Sequence, residues 1–144
     1  MPLRLLLPEL IAASAMLGII WLVQIAIYPL YSSVGARDFP AFHIRYTRLV
    51  TWVICPLMLM EAIFCAWLIS QFPGNVLHSF AAVLLGIIWL STAFVQVPAH
   101  RVLNQGWNLK AHRTLIRTNW LRTLAWSLRV GLLFDLVIDQ RPLN

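Results

Sequence analysis

Residues Leu10 to Ala36 read LIAASAMLGIIWLVQIAIYPLYSSVGA and carry no charged side chain. A hydrocarbon core about 30 Å thick is crossed by roughly 20 apolar residues in a helix, so this stretch alone is long enough to span a bilayer. Arg4, the apolar run and Ala13-Ser14-Ala15 have the outline of a secretory signal. Pro8 and Glu9 interrupt that outline and the apolar run continues past Tyr28, so residues 4–30 are read as a retained span.

Outward from that stretch the pattern repeats. Asp38-Phe39-Pro40 forms a helix start with proline in the first turn, and a second span is expected over 40–70. Gln71-Phe72-Pro73-Gly74-Asn75 is the strongest turn signal, since proline and glycine do not continue a helix comfortably. A third span is expected over 77–100 and a fourth over 112–138. Arg117, Arg122, Arg129 and Asp135 interrupt the fourth. At 100° per residue, Asn119, Arg122, Trp126 and Arg129 fall on one stripe that can face a bundle interior, while Arg113, Arg117 and Asp135 lie near the ends. The expected fold class is an all-α membrane protein, a single four-transmembrane-helix bundle over residues 1–144.

Composition agrees, with 60% hydrophobic and 11% charged residues in 144 and a mean hydropathy of +0.77. The net charge of +6 comes from cations scattered beside the spans rather than from a basic module, which favours anionic lipid headgroups over nucleic acid. Arg37, Arg45 and Arg48 around loop 1, with Arg101, Lys110, Arg113, Arg117 and Arg122 around loop 3, supply eight of the eleven cations. The positive-inside rule then places both loops in the cytoplasm and both termini outside, in a bacterial inner membrane. Cys55 and Cys65 sit ten residues apart in one predicted helix, roughly 15 Å along its axis, which rules out a disulfide between them and disfavours thiol exchange.

A weak internal echo suggests two pseudo-repeated hairpins. Tyr46-x-Arg48-x-x-x-Trp52 is answered by Trp120-x-Arg122-x-x-x-Trp126, and Trp21 before Pro29 by Trp89 before Pro98.

Charges at membrane depth need partners. Glu61 and Arg129 lie at similar depth, roughly 30 Å from the loop 1 and loop 3 face, and are expected to form a structural ion pair. Near the Arg-rich face every helix offers polar groups: Gln24 and Tyr28, then His43, Tyr46 and Thr47, then Gln96 and His100, then His112, Asn119 and Arg122. Lipid disfavours outward-facing amides and imidazoles, so these groups are expected to converge on a pocket. Tyr28, His43, His100 and His112 are the candidates for proton chemistry, with Gln24, Tyr46, Gln96, Asn119, Trp120 and Arg122 as substrate-binding candidates. His43 and His100 could also ligate a transition metal or haem iron. No phosphate-binding glycine loop, nucleophile elbow or zinc signature is present, which disfavours ordinary hydrolases and NTPases.

The stretch Phe94-Val-Gln-Val-Pro98-Ala-His100-Arg-Val-Leu103, followed by Ala111-His112-Arg-Thr-Leu-Ile-Arg117-Thr-Asn119-Trp120-Leu-Arg122-Thr123 and Trp126, resembles small four-helix bacterial membrane proteins grouped with the anthrone-oxygenase-like families. The resemblance implies a four-helix bundle whose better-known relatives oxidise polycyclic phenolic compounds, with His100, His112, Asn119, Trp120 and Arg122 in the pocket. The leading expectation is a membrane-embedded oxidoreductase or ligand-binding protein for a lipophilic small molecule that is phenolic, quinone-like or lipid. The alternative is a non-catalytic accessory subunit of a larger membrane complex. The partners expected are the bilayer, that small molecule, and a homo-oligomer or larger assembly.

Overall fold

A computed structural model describes residues 3–139 as four long helices, and every regular element among them is helical. Helix α1 covers Leu3–Ser33, α2 Phe39–Gln71, α3 Val76–Asn104 and α4 Leu109–Ile138. Of these, α1, α2 and α3 are long and apolar enough to cross a membrane.

The turns follow from local chemistry. Proline in the first turn starts α2, since its missing N–H has no helical partner there anyway. Asn75 caps α3 by accepting from the His78 backbone N–H at 2.9 Å, and Asn108 caps α4 by accepting from that of Ala111 at 2.9 Å. Gly106, with φ +152°, takes the bend before α4 that a side chain would strain.

Helices α1 and α3 run further than the sequence reading expects, to Ser33 and Asn104 instead of 30 and 100. Each passes its proline through a wider π-turn, Val23–Ile27 ahead of Pro29 and Thr92–Gln96 ahead of Pro98. A proline in a regular α-helix collides with the carbonyl four residues back, and the wider turn relieves that collision. The same device recurs on the first helix of each hairpin, with one residue between the π-turn and the proline in both.

Helix α1 packs broadly against α2 and α4, and α3 against α4, while α2 and α3 meet sparsely. Three apolar layers fill the interior. Tyr28, Tyr31, Phe39 and Leu115 lie at the loop 1 and loop 3 end, Met16, Met58, Ile88 and Trp126 in the middle, and Leu6, Leu68, Leu133 and Val137 at the other end. The outer surface is apolar too, with Trp52 76% and Phe94 74% exposed. Helix α4 follows this rule: Leu121, Leu124, Leu128 and Phe134 face outward, and Asn119, Arg122, Trp126 and Arg129 are buried.

Candidate functional site

The Arg-rich end holds a continuous hydrogen-bonded chain drawn from α1, α2 and α3. His43 Nδ1 meets Asn104 Oδ1 at 2.7 Å, His43 Nε2 meets His100 Nδ1 at 3.0 Å, and His100 Nε2 meets the Tyr28 hydroxyl at 3.2 Å. The carbonyl oxygen of Asn104 only accepts, which places the His43 proton on Nδ1 and leaves Nε2 to accept. His100 must then donate from Nδ1 and accept at Nε2 from the Tyr28 O–H. One tautomer of each ring satisfies every contact, and all donors point from Tyr28 toward Asn104. Tyr28 also lies 3.4 Å from Gln96 Oε1, while Gln96 Nε2 donates to Thr118 at 2.9 Å on α4. The Phe39 ring stacks on His43, and Tyr31 packs edge-on against it with centroids 5.2 Å apart.

A second strand of polar contacts ties α1 to α4. Asn119 Nδ2 donates to Gln24 Oε1 at 2.8 Å, Gln24 Nε2 donates to the Ile116 carbonyl at 3.2 Å, and Arg122 Nη1 donates to Asn119 Oδ1 at 3.1 Å. The Arg122 guanidinium lies 5.3 Å from the Trp126 ring centroid, a cation–π contact that helps hold a buried charge. Arg122 is 5% exposed and its Nε has no hydrogen-bond partner among the described residues.

Between α2 and α3, where the helices meet sparsely, lies a cavity of about 490 Å³. Ile20, Val23, Ile54, Met58 and Trp89 form apolar walls, and Tyr46, Thr47, His100, Asn104 and Arg122 also line it. Of the residues expected to bind substrate, Tyr46 and Arg122 line this space, and His100 is the candidate for proton chemistry that does so. Gln24, Gln96 and Asn119 support the lining without belonging to it. His112 donates from Nε2 to the Tyr28 carbonyl at 2.7 Å, clamping the end of α1 to α4. Trp120 departs from expectation: it is 42% exposed and packs edge-on against Trp21, away from the cavity.

The expected metal or haem ligation by His43 and His100 would have to displace the hydrogen bonds that their rings make. All four of their ring nitrogens are engaged, by Asn104, by each other and by Tyr28, so neither ring offers a free lone pair.

The expected Glu61–Arg129 ion pair is corrected. Arg129 Nη2 bonds to Glu9 Oε1 at 2.6 Å, and Glu9 Oε2 meets His78 Nε2 at 2.9 Å. Glu61 instead accepts from Trp126 Nε1, at 3.2 Å to each carboxylate oxygen. Glu9, Glu61, His78 and Arg129 are at most 1% exposed, so each depends on protein partners. Residue counting along α2 and α4 finds the right depth but omits α1, which brings Glu9 to the same level from the opposite direction.

Asn104 lies one turn after His100 on the same face of α3, a spacing that becomes visible once the helix is carried past Pro98 to Asn104. His78 had a signal in the Asn75 cap, which fixes the phase of α3. No family model, curated protein or solved structure matches the chain.

Proposed function

We propose that the chain is a four-span bundle of a bacterial inner membrane that binds a lipophilic, oxygen-bearing small molecule, phenolic or quinone-like, in the cavity between α2 and α3. The carrying observation is Arg122, buried at the cavity wall with an Nε–H that has no partner among the described residues. A guanidinium at an apolar wall is a strong hydrogen-bond donor, and a ligand oxygen beside it would be met by a charge-assisted hydrogen bond. The apolar walls suit a ring or chain, and a largely apolar pocket with a few convergent polar groups is the usual form of a small-molecule site. His100 is the member of the Tyr28–His100–His43 chain that lines the cavity, so proton exchange with a phenol or quinone would pass through it, with Tyr28 and His43 holding its ring.

Reading α4 as a fourth span rests on its outward leucines and inward arginines. Average hydropathy undervalues such a helix, because charges buried against other helices never meet lipid.

Titration of the purified protein with a short-chain quinone, followed through tryptophan quenching with Trp89 at the cavity wall, tests the reading. Losing a hydrogen bond from a charged donor costs about 1.5–3 kcal/mol, so Arg122→Ala should weaken binding by roughly tenfold to a hundredfold. Equal affinity in the two proteins would remove Arg122 from the site and the proposal with it.

A further inference from the structure

The charged cluster at the opposite end of the bundle contains three potential metal ligands. Glu9 on α1, Cys65 on α2 and His78 on α3 each place one donor atom within 4.8 Å of the others, and all three are buried. They are the only such trio among the described residues. Carboxylate, thiolate and imidazole together form the mixed donor set that borderline-soft divalent ions such as Zn²⁺ accept, and three protein ligands leave a fourth tetrahedral position open.

His78 faces Glu9 through Nε2, 2.9 Å from Oε2, so an ion shared by the two residues would take Nε2 in place of its proton, which would then sit on Nδ1. A further observation is charge. Glu9 and Glu61 bring two carboxylates to a region with one permanent cation, Arg129, all fully buried. A divalent ion bound with Cys65 as thiolate would bring the group to neutrality, the state that a low-dielectric interior favours. Arg129 holds Oε1 of Glu9 and fixes the carboxylate from outside, while Oε2, which meets His78 Nε2, is the oxygen that would coordinate once the ion replaces the proton between them.

We propose that Glu9, Cys65 and His78 form a site for a divalent transition-metal ion of the zinc class, coordinated through one imidazole nitrogen of His78. The ion would tie α2 to α3 at the end away from the Arg-rich face, where those helices otherwise meet sparsely. This site is independent of the cavity and of any ligand bound there.

The test is a Co²⁺ titration of the chelator-stripped protein in detergent, with Zn²⁺ as competitor. One equivalent of Co²⁺ should bind with a cobalt–thiolate charge-transfer band that Zn²⁺ displaces. Cys55→Ser should keep the band, because Cys55 lies outside the cluster. Cys65→Ser should remove it. His78→Gln should weaken affinity by at least about tenfold, since losing a direct ligand should cost no less than losing one that only orients it. Absence of a thiolate band in the wild-type protein overturns the proposal, as does a band that survives Cys65→Ser or an affinity unmoved by His78→Gln. The wild-type titration is decisive by itself should a variant lose its helical circular dichroism.

Discussion

Arg129 and its partner show what a single side chain must secure inside this bundle. A guanidinium with no exposed surface is tolerable only against an anion, and the Glu9 carboxylate at 2.6 Å is that anion. Truncating one member of such a pair strands the other, so Arg129→Met should lower unfolding stability in mixed micelles by about 3–5 kcal/mol. Glu9→Gln should cost less once Arg129 is already gone. Glu61→Gln should combine with Arg129→Met more nearly additively, because Glu61 takes its hydrogen bonds from Trp126. A larger coupling of Arg129 to Glu61 than to Glu9 would restore the pair that depth counting suggests. Asn104→Leu belongs to the same scale: it leaves the His43 Nδ1–H without an acceptor and should cost about 1–3 kcal/mol in the same unfolding measurement. The inward stripe of Asn119, Arg122, Trp126 and Arg129 was legible because helical phase depends only on spacing. Which anion meets Arg129 was not, because that depends on how α1 is rotated, and a helix apolar on nearly every face gives little sign of its rotation.

At the scale of elements, the two π-turns decide where the polar groups sit. Each holds one residue more than an α-turn, and each contains a glutamine of the polar network, Gln24 in one and Gln96 in the other. Removing one residue from such a turn should restore plain α geometry without rotating the rest of the helix. Deletion of Phe94 together with Pro98→Ala should therefore be tolerated better than deletion of Ala82, which rotates everything beyond it. Thermal unfolding followed by circular dichroism should rank the two variants in that order, and the reverse order would mean that the π-turn is not acting as an inserted residue. Proline position was readable from sequence, but its consequence was not. Pro29 and Pro98 look like helix ends, and the helices continue past them because widening one turn costs less than exposing unpaired backbone in lipid.

For the whole molecule, sorting interior from exterior charge sharpens the topology. Arg122 and Arg129 are buried and cannot report on headgroups. Setting them aside leaves Arg37, Arg45, Arg48, Arg101, Lys110, Arg113 and Arg117 exposed around loops 1 and 3, against Arg4 as the one exposed cation among the described residues at the other end. The asymmetry therefore persists without the two buried arginines, and on the proposed four-span reading the positive-inside rule would put loops 1 and 3 in the cytoplasm. Single cysteines at Gly74, Gln105 and Asp139, introduced with Cys55→Ser and with buried Cys65 retained, test this together with the fourth span. In spheroplasts a membrane-impermeant maleimide should label Gly74→Cys and Asp139→Cys directly, and Gln105→Cys only after permeabilisation. A reversed pattern would invert the orientation and leave the bundle intact. Labelling of Gln105→Cys and Asp139→Cys from the same side would mean that α4 does not cross, and its buried arginines would then need water rather than helices around them.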